Sequence, residues 1–300
     1  MTSENYPRGV ALVIIAGGIW SIAGVVMRYM ESANEWQVLF YRSLTLSVFL
    51  FFYIGFRYRG PLINAYRDPG WGSVIAGICL GVTFCSWIFA MTHTTIANAL
   101  FVLAAAPFIT ALLGRLILGE AVKPITVYCM TATALGILVM VVEGILVGTF
   151  LGNLFALGAA VGFSLFSVLL RRTKRIDMTP TVFWAGLSGT LIGAVMILVS
   201  GTGFEVSHHD FEMCALLGLV QVGIGMIIYT AGSRHVPAAE LVLLSLTEVI
   251  LGPLWVWLAV GEVPGTYTLV GGCIVFGAIV LQAVTGIRHQ RKLNARMVSI

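Results

Sequence analysis

IANALFVLAAAPFITALLGRLILGE, residues 96–120, and AAELVLLSLTEVILGPLWVWLAVGE, residues 238–262, are two long apolar runs that end alike in Gly-Glu. Each is followed by a short break and a second apolar run, to Val142 and to Ile287. An offset of 142 aligns the two passages. It pairs His93 with His235, Ala97 with Ala239, Glu120 with Glu262, Thr126 with Thr268 and Gly144 with Gly286, and gives ten identities between residues 93 and 144 and the partner copy. An apolar alphabet inflates such counts, so the polar pairs carry the argument. The chain reads as two similar halves.

Working outward, charged residues make up only 10% of the 300 residues, hydrophobic residues 59%, and the mean hydropathy is +0.98. Such a composition cannot cover a water-facing surface. A spanning helix needs about 20 apolar residues, and the runs here are continuous and long. The alternation expected of a membrane β-barrel is missing. The fold class is therefore an all-α polytopic membrane protein.

Ten spans are predicted: Val10–Met27, Trp36–Phe56, Trp71–Met91, Ile96–Leu118 and Thr126–Val142, then Leu151–Leu170, Val182–Ser200, Phe211–Tyr229, Ala238–Val260 and Tyr267–Ile287. The first is expected to remain as a span, since residues 1–9 lack the features of a cleaved signal. With ten spans, alternate loops share a side. One side collects 15 of the 17 Lys and Arg residues, leaving only Arg28 in an opposite loop and Arg42 inside the second span. By the positive-inside rule both termini face the cytoplasm, in a bacterial-type inner membrane.

Five spans per half is an odd number, so the halves enter from opposite sides. The expectation is two inverted five-helix repeats, residues 1–145 and 146–288, with a cytoplasmic tail at 289–300. Inverted repeats suit secondary transporters, because exchanging the conformations of the halves moves the opening from one face to the other.

The run APFITALLG (106–114) ending in LGE (118–120), the run LTEVILGPLWVWL (246–258) ending in Gly-Glu, and Phe40-Tyr41-Arg42-Ser43 in the second span resemble the EamA domain of the drug/metabolite transporter superfamily. The resemblance covers the chain in two copies. It implies ten helices around a central cavity lined mainly by the first, third, fourth, sixth, eighth and ninth spans. It further implies alternating access and, in many members, export of amino acids or other metabolites. One departure is that Pro107 pairs with Val249, the second copy's proline being Pro253. Kinks at equivalent depths are therefore not required.

A charge deep in a bilayer costs about 2.5–3.5 kcal/mol on insertion scales, so each asks for a reason. Glu248 lies about ten residues into the ninth span, with Ser245 and Thr247 near it. It reads as a cavity carboxylate for an amino group or a proton; the alternative is a glutamate hydrogen-bonded between helices. Glu240, at the start of that span, is either a helix cap or a gating group, with Arg42 and Arg234 as candidate counter-charges. His93 and His235 occupy equivalent short connections and are candidates for pH gating, against a plain interfacial role. Trp20, Thr83, Trp87, Asn98, Phe101, Phe163, Ser164, Gln221, Tyr229 and Ser245 complete the candidate cavity lining; Trp36, Trp71 and Tyr267 read as interfacial anchors.

The five cysteines show no CxxC spacing and read as packing residues. The loop pair His208-His209 with Asp210 lacks a second ligand cluster, so no metal is assigned. Neither a Walker-type loop nor an HExxH or GxSxG motif occurs, and no catalytic residue, cofactor or nucleic-acid partner is assigned. The partners expected are the lipid bilayer and a small-molecule substrate, with protons as the candidate coupling ion; oligomeric state is not legible. Export by alternating access is the leading reading. The alternatives are uptake by the same fold and a non-transporting receptor or assembly protein.

Overall fold

The computed structural model describes residues 5–58, 62–67, 70–93, 99, 102–141, 150–172, 179–261 and 265–298. Among them the secondary structure is helical and no strand occurs. The helices are α1 (Tyr6–Trp20), α2 (Ala23–Arg28), α3 (Glu35–Arg57), α4 (Leu62–Arg67), α5 (Gly70–His93), α6 (Ala106–Leu118), α7 (Pro124–Val141), α8 (Phe150–Arg172) and α9 (Thr179–Ser200). Then follow α10 (His208–Leu216), a π-helical segment (Leu217–Ile224), α11 (Gly225–Ser233), α12 (Ala238–Ser245), α13 (Thr247–Val260) and α14 (Thr266–Val298). Among the described residues eight helical stretches are long and apolar enough to cross a membrane, counting α1–α2, α10–α11 and α12–α13 as single stretches. Helices α6 and α7 are shorter apolar helices. Large apolar side chains such as Phe52, Phe56, Leu112, Leu198 and Phe276 point outward, as surfaces that meet lipid do. The chain is a multi-pass membrane protein.

Association of spans in lipid depends on close packing rather than on the exclusion of water, and small residues supply it. Leu39, Ser43, Leu46, Ser47 and Leu50 form one buried stripe of α3 at the spacing of a helical face. Against it lie Gly186, Gly189 and Gly193 of α9; a methyl group at Gly193 would fall 2.9 Å from the Phe40 backbone. Gly77 and Gly81 of α5 meet the other side of α9 in the same way. The main packing pairs are α3 with α9, α7 with α14, α5 with α8, α5 with α9, α1 with α11, and α6 with both α8 and α12.

The Gly-Glu endings have a plain structural meaning. Gly119 and Gly261, 142 apart, cap α6 and α13 with left-handed φ angles of 67° and 76°. That conformation strains any residue with a Cβ, and it stops both helices at matching points.

Both copies are also interrupted at matching points, despite their unmatched prolines. In the first copy the chain turns at Ala104-Ala105, just before α6, with Ala105 N donating to Val102 O (3.1 Å). Pro107 sits in the first turn of the helix that restarts there, where its missing N–H costs nothing. In the second copy the break falls at Leu246, between α12 and α13, with Leu246 N donating to Leu243 O (3.2 Å). Here hydroxyls take the place of proline: Ser245 Oγ donates to Val242 O and Thr247 Oγ1 to Leu244 O, both at 2.8 Å. Such back-bonding competes with the helical ladder. Pro253, by contrast, lies inside α13 without ending it.

The two ends of the bundle differ. At one end Glu240 Oε2 accepts from Tyr6 Oη (2.5 Å) and Oε1 from Lys123 Nζ (3.1 Å). Close by, Glu120 Oε1 accepts from Arg171 Nε (3.0 Å) and Oε2 from the Ala238 amide (3.2 Å), while Arg171 Nη1 reaches Arg234 O (2.9 Å) and Ser233 O (3.3 Å). These ties join the start of α1, the ends of α6, α8 and α11, and the starts of α7 and α12. At the other end Asp210 accepts from the amides of Glu31, Ser32 and Ala33 and from Ser32 Oγ, at 2.8–3.0 Å. Gln37 Nε2 there donates to Gly203 O and Glu205 O.

Candidate functional site

A cavity lies in the middle of the bundle, holding about 690 Å³ of non-atom space including its mouth. Both halves build it. Trp20 closes α1, where the chain kinks because Ser21 Oγ bonds back to Gly18 O (2.6 Å). Arg42 comes from α3, Thr83, Phe84 and Trp87 from α5, Leu103 from just before the turn that precedes α6, and Ala106 from the start of α6. From the second half come Phe163 of α8, Gln221 and Val222 of the π segment, Met226 of α11, and Val242, Ser245, Leu246 and Glu248 around the break between α12 and α13. The lining is mostly apolar and aromatic with a few polar groups, the usual composition of a small-molecule site.

Local geometry explains how the polar groups arrive there. The π segment lies directly on α3: a methyl group at Gly218 would meet the Arg42 carbonyl, and one at Gly223 the Phe49 ring. A π turn carries one more residue per turn than α-helix and recurs at functional sites; here it presents Gln221 to the cavity, Nε2 donating to Trp20 O (3.4 Å). The Leu246 break leaves Glu248 in the first turn of α13, where the N-terminal dipole favours negative charge.

The aromatic wall is anchored from behind. Trp20, Phe163 and Tyr229 contact one another with ring centroids 5.0–5.7 Å apart, and Tyr229 Oη lies 2.8 Å from Ser167 Oγ.

Of the residues singled out in the sequence, Trp20, Thr83, Trp87, Phe163, Gln221, Ser245 and Glu248 face this cavity together. Tyr229 and Ser164 stand behind its wall, both fully buried; Ser164 Oγ donates to Ala160 O (2.7 Å) and lies 2.9 Å from Ala106 O, at the start of α6. Asn98 and Phe101, like Glu262, fall outside the described residues. Glu240 is not in the cavity and does not cap its helix; Pro237 holds the cap position without a side-chain bond, and Glu240 belongs to the tie with Tyr6 and Lys123. Its counter-charge is thus Lys123, not Arg42 or Arg234.

The two histidines sit apart from the cavity. His93 stacks on Phe89 (5.3 Å), with Phe155 beside it. His235 lies among Arg8, Arg234 and Arg171; partial burial first, then those cations, hold its pKa below the ordinary histidine value. His209 Nε2 lies 2.8 Å from Tyr29 O, and no group of three or more His, Cys, Asp or Glu placed to hold a metal occurs among the described residues.

Arg42 and Phe84 are cavity residues that the sequence reading did not place there. Phe84 follows Thr83 and lies one turn before Trp87, a signal for a shared face. For Arg42 the signal was its depth in the span, but depth alone did not say where the side chain goes.

The EamA-like transporter family matches this sequence twice, over residues 7–142 and 150–284. The chain belongs to the EamA-like transporter family. Among the relatives of this family member are proteins named pseudopaline exporter from two strains of Pseudomonas aeruginosa. Each is 20% identical over 289 residues, covering 93% of this chain and 97% of the relative. A solved crystal structure at 20% identity superposes on this EamA-like chain with a TM-score of 0.77, covering 94% of the chain and 98% of its counterpart. That likeness shows the fold.

Proposed function

We propose that the chain is a secondary transporter that exports a small amphipathic metabolite, an amino acid or a relative of one, by alternating access. The observation that carries this reading is a cavity at mid-bundle holding Glu248, with walls from both halves and ionic ties gathered at one end of the bundle. Export is favoured by the distant relatives whose name is that of an exporter.

In this proposal the eight long stretches together with α6 and α7 make ten spans in two inverted repeats, 1–145 and 146–288, with the tail at 289–300. The packing supports it, because an offset of one half maps the pairs onto one another. The pair of second and seventh spans (α3 with α9) maps onto itself, as do the fifth with tenth (α7 with α14) and the fourth with ninth (α6 with α12); the third with sixth (α5 with α8) becomes the eighth with first (α11 with α1). The tied end collects Lys123, Arg171 and Arg234 and is assigned to the cytoplasm of an inner membrane, with both termini on that side. The described conformer is then the one closed toward the cytoplasm.

Glu248 is the proposed site for a substrate ammonium or a coupling proton. A thermal-shift screen of metabolites on the purified protein, amino acids first, identifies ligands by the melting point they raise. Flux of those ligands is then measured in liposomes. In Glu248→Gln the expected outcome is loss of flux or of its pH dependence; unchanged flux with an unchanged pH profile removes Glu248 from the mechanism.

A further inference from the structure

We infer that Arg42 is the anion anchor of the cavity: it receives a carboxylate of the substrate, so that the site selects compounds carrying an anionic group. This rests on the transporter reading and adds the class of chemistry that the cavity accepts. A long basic side chain near a span end ordinarily snorkels to water, but Arg42, seven residues into α3 and roughly 10 Å along it, is only 7% exposed and lies on the cavity wall. Its guanidinium sits 5.1 Å from the Phe84 ring centre, a contact that holds the cation without neutralising it. Buried Nη2 has no hydrogen-bond partner, and among the described residues no carboxylate pairs with the group.

Asp210, four residues before Cys214, is already taken up by four hydrogen bonds from residues 31–33. The Cys85 and Cys214 thiols are the titratable neighbours of Arg42, and neither matches a guanidinium fork. A buried cation without a partner is costly to keep, and the planar fork fits a carboxylate by two parallel bonds. Glu248 lines the same cavity with a carboxyl group that likewise makes no ion pair among the described residues. With Trp20, Trp87 and Phe163 also lining it, the cavity joins a cation, a carboxyl and aromatic surface, a set that suits an amphipathic compound carrying an anionic group and an amine.

The probes are L-phenylalanine, its amide, which lacks the carboxylate, and phenylpropanoate, which lacks the amine, applied to wild type, Arg42→Gln and Arg42→Lys in detergent. In wild type the amide is expected to bind at least about 10-fold more weakly than the amino acid. Arg42→Gln should abolish that preference without weakening the amide, and Arg42→Lys should keep part of it. A wild type that accepts the amide as well as the amino acid, or binds none of the three, overturns the assignment; so does an unchanged preference in folded Arg42→Gln. The series on wild type decides even if the glutamine variant does not fold. Counterflow in liposomes separates the two claims. Flux of compounds without an anionic group defeats the anchor and keeps the transporter, whereas selective binding without any flux keeps the anchor and defeats the transporter.

Discussion

At the scale of single residues, burial decides what each charge is for. Arg171 is 4% exposed and, among the described residues, reaches acceptors on two other segments, while its partner Glu120 is 29% exposed. Removing Glu120 strips a charge-assisted bond from a buried guanidinium and also leaves the Ala238 amide unpaired. Glu120→Ala is therefore expected to destabilise the purified protein by about 1–3 kcal/mol, read as a lower denaturant midpoint. Glu205→Ala, on an exposed loop, should lie within about 0.5 kcal/mol of wild type. Much of this scale was legible from the sequence, because a charge in an apolar run is conspicuous. Partners were not: Tyr6 and Glu240 meet across 234 residues, and nothing local to either announces the other.

At the scale of elements, the left-handed caps give a clean comparison. A methyl group at Gly119 or Gly261 would meet no atom of the described residues within 4 Å, so Gly→Ala at either site chiefly tests the backbone. Each substitution should cost about 1–2 kcal/mol, with Gly119→Ala and Gly261→Ala alike in thermal midpoint if the two copies use the motif for the same purpose. The eight long apolar stretches could be read from hydropathy, and the Gly-Glu endings marked where two apolar helices stop. Interruptions within spans were harder. Pro107 signals one, but the break at Leu246 arises from two hydroxyls bonding backwards, and Ser and Thr also occur in many unbroken helices. The π segment was invisible: Gly218 and Gly223 meet α3 there, a tertiary contact that the local sequence does not announce.

At the scale of the whole molecule, the ionic ties at one end should set the balance between conformers. Glu240→Gln weakens the bonds to both Tyr6 and Lys123. In a background freed of the five native cysteines, a cysteine at buried Thr110, which borders the recess beside these ties, reports whether that end opens. Its reaction with a water-soluble thiol reagent should quicken about 10-fold in Glu240→Gln, the equivalent of about 1.4 kcal/mol; an unchanged rate would mean that the ties do not hold the end shut. Acid works on the same end through His235. Its folded-state pKa lies below the ordinary 6.5, so the unfolded chain takes up the proton first. Stability from this residue is full above about pH 6.5 and falls as the pH drops below it toward the lowered value. His235→Gln should flatten that part of the melting-point profile.

The tie between Tyr6 and Glu240 also has a bearing on biogenesis. Its partners are separated by 234 residues, an interval that takes a ribosome roughly 10–50 s to cover at ordinary elongation rates. For that time the first helix rests in the bilayer with its phenol unclaimed. Lys123 and Glu120 emerge into the same wait, for α12 supplies a partner to each. The last quarter of the chain thus acts as a keystone, and a nascent protein stalled before Ala238 would present an open, chaperone-visible bundle rather than a finished half.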